Sequence, residues 1–162
     1  MSKIGRIERQ KLRNRLLGFA LIALAALPAG VTLAQSAVAQ NADAIEARKQ
    51  NFKTLGAQMK AIKKALESGE GLQATKEPVA KLLTASQAIG THFPADSQQG
   101  DTKAKPNIWT DSKGFKQDVD AELTAAQALS KAQDSGDLGQ FKTAFADLGK
   151  TCGDCHHDYR TK

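Results

Sequence analysis

Apolar residues recur at helical spacing along four stretches of the chain. In the first, from about Ala42 to Glu67, they lie three, four or seven residues apart, a spacing that places them on one face of a helix. The other stretches run from about Thr75 to Thr91, from about Asp111 to Asp134 and from about Leu138 to Arg160. Glycine-containing turns separate the stretches, except for one longer connection in the middle. The pattern predicts an all-α fold, an antiparallel up-down four-helix bundle.

Each predicted helix has an inward face that we expect to form the core. The faces consist of Ile45, Phe52, Leu55, Met59, Ile62 and Leu66 in the first helix, Val79, Leu82, Leu83, Ser86 and Ile89 in the second, Phe115, Val119, Leu123, Ala126 and Leu129 in the third, and Leu138, Phe141, Phe145, Leu148, Cys152, Cys155 and Tyr159 in the fourth. Arg48 interrupts the first face. A charge there is costly unless the side chain reaches solvent or meets an opposite charge, and the residues alone leave both arrangements open.

The connection from Phe93 to about Ser112 has a different composition, with several Pro, Gly and polar residues. Connections of this length are either mobile or functional. We expect Trp109, near its end, to cover one end of the core. His92, just before it, is expected to lie at the surface or to cap the second helix rather than to bind a metal.

Basic residues are concentrated at the N-terminus. Residues 1–15 contain six Lys and Arg residues and one Glu, whereas the rest of the chain has 17 basic and 16 acidic residues. The net charge of +6 is therefore a local property of the N-terminus. It does not indicate a nucleic-acid-binding surface on the bundle.

An apolar run from Leu16 to about Leu33 follows the basic residues and leads to Ala37-Val38-Ala39. A basic region, an apolar run and a small-residue site together indicate a secretory signal peptide. The alternative is a retained transmembrane anchor, because the run approaches the length that spans a bilayer. We expect residues 1–39 to be a signal peptide that is removed on export to the periplasm. Residues 40–162 would then form one domain without a membrane anchor.

The last predicted helix carries the sequence Cys152-Gly153-Asp154-Cys155-His156, which contains both cysteines of the chain. Two thiols at this spacing on a helix can add to the two vinyl groups of one porphyrin, and the histidine can then reach the iron from one side. A thioredoxin-like redox pair or a plain disulfide is one alternative, but redox pairs of that kind follow a strand, and no strand pattern precedes Cys152. A zinc site would need two further ligands. The motif favours one covalently bound haem c.

A haem-attachment motif on the last helix of an exported four-helix bundle resembles the cytochrome c′ family, the class II c-type cytochromes. Cytochrome c′ is itself a standard example of the up-down bundle. Three other elements support the resemblance, which extends over residues 40–162. They are Tyr159-Arg160 after the motif, Ile108-Trp109 with Phe115 at the start of the third helix, and Arg48 with Phe52 and Leu55 in the first helix.

The resemblance implies roles for individual residues. Cys152 and Cys155 would form the thioether bonds to the haem, and His156 would be the proximal iron ligand. Arg48 would pair with a haem propionate. Arg160 would lie near the proximal side of the haem, on the same helical face as His156.

Members of this family differ in the residue that faces the second side of the iron. Low-spin electron carriers have a methionine four residues after the first-helix arginine, whereas cytochromes c′ have an apolar residue that does not bind iron. Phe52 occupies this position. The resemblance therefore implies a five-coordinate, high-spin haem whose apolar pocket admits nitric oxide and carbon monoxide. Met59, two turns further along the same face, is the alternative distal ligand, in a six-coordinate low-spin electron carrier.

The resemblance also implies the class of partner. We expect a diatomic gas ligand and redox partner proteins, and the exposed faces leave monomer and homodimer open. The sequence contains no recognisable pair of nucleophile and base and no second metal site, so an enzyme is not expected.

Overall fold

The computed structural model describes residues 29–95 and 97–162. Residues 35–162 form one compact unit. Most of the predicted signal peptide, residues 1–28, lies outside the described residues. Among the residues that the structure describes, no helix has the length and apolar character needed to cross a membrane.

The described residues form five α-helices. Their bounds are Ala29–Ser68 (α1), Lys76–Ala88 (α2), Asn107–Thr110 (α3), Ser112–Ser135 (α4) and Leu138–Tyr159 (α5). The four long helices correspond to the four predicted stretches, and the all-α four-helix bundle is confirmed. The single-turn helix α3 lies in the long connection and was not predicted, because four residues are too few to show a periodic pattern.

Two predicted boundaries were wrong. Helix α1 begins at Ala29 rather than near Ala42, since the intervening segment is rich in alanine, the residue with the highest helix propensity. Helix α2 is shorter than its predicted stretch, because 3-10 turns at Leu72–Thr75 and Ile89–His92 occupy its two ends. Such turns are common where an α-helix begins or ends.

A tight turn joins α4 to α5. Gly136 adopts a left-handed conformation, with φ of 73°, and ends α4. Asp137 follows and caps α5, because its Oδ1 accepts a hydrogen bond of 2.9 Å from the Gln140 amide. These two adjacent signals make α4 and α5 antiparallel neighbours.

Two groups of buried side chains form the core. The main cluster joins all four long helices and comprises Ile62, Val79, Leu82, Ala126, Leu129, Ala132, Phe141 and Leu148. The aromatic cluster lies around Ile108, Phe115 and Tyr159, with the half-buried Phe93, Ala104, Trp109, Val119 and Cys155 packed against it. The predicted role of Trp109 in covering the core is therefore confirmed. Leu138 was placed on the inward face of α5 but is exposed, because it is the first residue of the helix.

Candidate haem site

Helix α5 carries the candidate haem motif along its inward face. Cys152 and Cys155 are both free thiols and both half-buried. Cys152 packs against the main cluster, whereas Cys155 packs against the aromatic cluster. The two thiols therefore mark the junction between the two parts of the core, less than one helical turn apart. Two reduced thiols on one helical face suit covalent attachment of a porphyrin, so the residues present fit a haem c.

Burial determines the chemistry of the two thiols. It raises the pKa of Cys152 to about 11 and the pKa of Cys155 to about 12, and nearby carboxylates add to both shifts. A thiol-disulfide oxidoreductase needs the opposite, a cysteine whose pKa is lowered so that the thiolate can attack. The environment of this pair does not favour the redox alternative.

His156 lies on the more exposed side of α5. Partial desolvation lowers its pKa, and the positive charge of Arg160 lowers it further. A metal-binding histidine must be neutral, so both effects favour ligation. Arg160 is itself exposed and follows the end of α5, where its amide donates to the His156 carbonyl at 3.3 Å. The structure thus brings Arg160 close to His156, although Arg160 lies beyond the last residue of α5 in an extended conformation rather than on the same helical face. Its place on the proximal side of a haem stays a prediction. His157 is exposed and contacts Asp158.

Arg48 is buried inside the bundle, with 3% of its surface exposed. One terminal nitrogen of its guanidinium donates to the Ser97 carbonyl and the Thr102 hydroxyl, both at 3.0 Å, and the other donates to the Ser97 hydroxyl at 3.3 Å. The guanidinium carbon also lies 4.7 Å from the ring centroid of Phe93 and 5.7 Å from that of Trp109. The alternative in which Arg48 reaches solvent is wrong. Its pairing with a haem propionate stays a prediction.

The two candidate distal residues pack against different parts of the core. The half-buried ring of Phe52 meets the ring of Phe93 edge-on, with the centroids 6.2 Å apart. Phe93 in turn packs against the aromatic cluster, as Cys155 does. Met59 is half-buried against the main cluster, as Cys152 is. The structure therefore separates Phe52 and Met59, which the helical pattern alone placed on one face.

The long connection is joined to the C-terminal end of α5 by backbone hydrogen bonds. The Lys105 amide donates to the Tyr159 carbonyl at 3.0 Å, and the Thr161 amide donates to the Lys103 carbonyl at 2.9 Å. In addition, the Lys105 ammonium donates to the His157 carbonyl at 2.8 Å. These bonds hold the end of the haem motif against the connection that also surrounds Arg48.

Glu122 is a buried charged residue of α4 that the sequence analysis missed. Its side chain is 6% exposed, and its Oε1 accepts a hydrogen bond of 2.8 Å from the Ser86 hydroxyl. Its Oε2 is buried and has no hydrogen-bonding partner among the described residues. The sequence did contain a signal, because Glu122 lies seven residues after Phe115 and four before Ala126, which is core spacing.

Comparison with known proteins agrees with this geometry. The model of the family described as Cytochrome C' matches residues 43–160. The chain belongs to the cytochrome c′ family. Proteins of this family bind haem c, and the family predicted from the sequence is confirmed.

Relatives of known sequence and structure cover most of the chain. Cytochrome c′ from Pararhodospirillum photometricum is 36% identical over 121 residues, which are 72% of this chain and 94% of the relative. The structure of cytochrome c prime from Shewanella frigidimarina superposes with a TM-score of 0.71 at 30% identity, over 75% of this chain and 97% of the other. A nitric oxide complex of a cytochrome c prime variant from Alcaligenes xylosoxidans gives a TM-score of 0.69 at 30% identity, with the same coverage.

Proposed function

We propose that this cytochrome c′ family member is an exported monohaem protein that binds nitric oxide or carbon monoxide at a five-coordinate haem iron. The position of Phe52 carries the proposal. It lies four residues after Arg48 on α1, and its ring, held edge-on by Phe93, has no atom that can bind iron. The nitric oxide complex of the related Alcaligenes xylosoxidans protein supports the choice of ligand.

The haem would be attached through Cys152 and Cys155, with His156 as the proximal ligand. When bound, the iron would supply the coordination position to which a diatomic gas adds. The protein would supply an apolar surface on the distal side, which admits uncharged gases and offers no hydrogen bond to a bound oxygen molecule. Arg48 would meet a propionate from inside the bundle, and Arg160 would adjust ligand access on the proximal side through its proximity to His156.

The proposal includes the location of the protein and its partners. Residues 1–39 would be removed during export, and residues 40–162 would act in the periplasm. There the protein would buffer the gas or exchange electrons with redox partner proteins, as a monomer or a homodimer. It would catalyse no reaction of its own.

Absorption spectroscopy of the reduced holoprotein tests the open coordination position. A five-coordinate ferrous haem gives one broad visible band and a rapid spectral change with carbon monoxide. Phe52→Met is expected to convert this spectrum into the sharp, split bands of a six-coordinate low-spin haem, because a thioether can bind the iron from that position. Met59→Leu is the matched control on the same helix and should leave the wild-type spectrum unchanged.

The same measurement identifies the alternative function, a six-coordinate electron carrier with Met59 as the distal ligand. Met59 packs against the same cluster as Cys152, which is the observation in its favour. The two candidate residues are about 10 Å apart along the helix axis, by the rise of 1.5 Å per residue, so one of them alone can face the iron. Split bands in the wild-type protein that become a single broad band in Met59→Leu would overturn the gas-binding proposal.

A further inference from the structure

Glu122 has an environment that its structural role alone does not explain. The carboxyl group lies inside the bundle, and the Ser86 hydroxyl from α2 satisfies one of its two oxygens. The second oxygen is buried without a partner among the described residues. Such an atom is costly in either protonation state. The protonated acid would have an O–H group without an acceptor, and the carboxylate would have a buried negative charge without a second donor. A buried polar atom without a partner calls for an explanation, and a redox role is one such explanation.

Glu122 lies beside the candidate haem-attachment residues. On α4 it stands between Val119, which packs against the aromatic cluster as Cys155 does, and Ala126, a member of the main cluster against which Cys152 packs. In agreement with this position, the charge of Glu122 contributes to the raised pKa of both the Cys152 and the Cys155 thiol. A haem bound to these two cysteines would therefore lie within electrostatic range of the carboxyl group. A change of one charge at the iron would be felt there strongly, since the site has a low local dielectric constant.

We propose that Glu122 is a proton-binding site coupled to the oxidation state of the haem iron. The inference rests on the haem attachment given under the proposed function, but not on the coordination number of the iron. When an external one-electron donor reduces the ferric haem, Glu122 takes one proton from solvent onto Oε2. When an oxidant removes that electron, Glu122 releases the proton. Charge is balanced in both directions, because one proton accompanies one electron.

The direction of the coupling follows from charge. An added electron makes a nearby carboxylate less favourable, so the pKa of Glu122 is higher in the reduced protein. Between the two pKa values the midpoint potential falls as pH rises, by at most about 59 mV per pH unit for a one-electron couple. Burial raises the pKa of Glu122, and the hydrogen bond from Ser86 opposes this shift in part. The pH window therefore lies above the ordinary glutamate value of about 4.3.

Other charged groups face the same region, and their behaviour differs from that of Glu122. Cys152 and Cys155 from α5 would be thioethers in the holoprotein and would not titrate. Asp118, one turn earlier on α4, is less buried, and its pKa is raised by partial burial and by the acidic residues around it. Arg48 on helix α1 is also buried, and its guanidinium stays protonated at all relevant pH values. The acidic residues around Asp118 and the haem propionates also titrate, so the experiment must separate them from Glu122.

The test is the midpoint potential of the holoprotein, measured by spectroelectrochemistry as a function of pH. The wild type is expected to show a sloping region, a pH range in which the midpoint potential falls as pH rises. Glu122→Gln is expected to lose this region, because the amide keeps the Ser86 hydrogen bond but cannot titrate. Glu70→Gln is the matched control. Glu70 also accepts a serine hydroxyl, from Ser68 at 2.9 Å, but is exposed and remote from the haem motif, so the slope should persist.

A second variant keeps the proposal testable if Glu122→Gln does not fold. Ser86→Ala removes the hydrogen bond that stabilises the carboxylate, so the sloping region should move to higher pH. A wild-type potential that is independent of pH in this window would overturn the proposal, as would an unchanged slope in Glu122→Gln or an unmoved slope in Ser86→Ala. A low-spin spectrum combined with a slope that depends on Glu122 would overturn the gas-binding function and leave this inference standing.

Discussion

Arg48 and Glu122 are charged side chains that face the interior of the bundle from α1 and α4, and their surroundings differ. The guanidinium of Arg48 has acceptors for several of its donors, in Ser97, Thr102 and the His92 carbonyl. One oxygen of Glu122 has no partner among the described residues. A buried charge with a full set of hydrogen bonds holds in place the segments that supply its partners. A buried charge that lacks a partner remains available to interact with a bound group.

Replacement of Arg48 by Met tests whether the hydrogen bonds of this side chain hold the long connection in place. We expect the holoprotein to lose about 2–3 kcal/mol of unfolding free energy, because the Ser97 carbonyl and the Thr102 hydroxyl would lose their donor. Urea denaturation followed by far-ultraviolet circular dichroism measures the loss. Lys49→Met is the control, since this neighbouring residue is exposed and its ion pairs with Glu46 and Asp101 contribute little. A loss in Arg48→Met no larger than that of the control would show that Arg48 does not hold the connection.

At the scale of helices, a polar contact joins the beginning of α4 to the end of α5. Asp111 caps α4, because its Oδ1 accepts from the Gly114 amide at 3.2 Å, and its Oδ2 accepts from the Tyr159 hydroxyl at 2.8 Å. Tyr159 lies three residues after His156 on α5, the helix with the candidate haem motif. The carboxylate of Asp111 therefore stabilises one helix and anchors the end of the other.

Gly114 allows this contact because it has no side chain. A Cβ atom there would lie 2.6 Å from the Tyr159 hydroxyl oxygen and would also collide with the Asp111 carboxylate. We expect Gly114→Ala to lower the unfolding free energy by about 1–2 kcal/mol, although alanine is the better helix former, because the change disrupts the cap. Gly149→Ala, in α5, meets no atom within 4 Å and should raise stability by up to about 1 kcal/mol. Thermal unfolding of both holoproteins measures the difference. A stabilised Gly114→Ala variant would contradict the account of this contact.

At the scale of the whole molecule, the candidate haem site lies where the main cluster meets the aromatic cluster. The two clusters draw on every long helix and on the long connection. The candidate haem motif therefore depends on the complete bundle, and removal of the signal peptide must leave the residues of both clusters in place.

We expect residues 1–39 to be removed when the protein is exported. The holoprotein isolated from the periplasm should have the mass of residues 40–162 plus one haem, because cleavage after Ala37-Val38-Ala39 removes the basic and apolar segments. Intact-mass spectrometry measures this directly. A protein that retains residues 1–39 and stays with the membrane fraction would contradict the signal peptide. The bundle itself should tolerate the cleavage, since the residues of the main cluster and the aromatic cluster all lie after Ala39.

The sequence by itself determined the helices, most of their inward faces, the candidate haem-attachment motif and the family. These properties depend on residues close together along the chain, where helical spacing and the chemistry of neighbouring cysteines and histidine apply directly. Only the tertiary structure decided that Arg48 is buried against residues about 50 positions away. It also decided that Phe52 contacts Phe93 whereas Met59 packs against the main cluster, and that Ser86 meets Glu122 between two helices. Such contacts join distant parts of the chain, and the side chains that meet depend on how the helices pack rather than on local sequence.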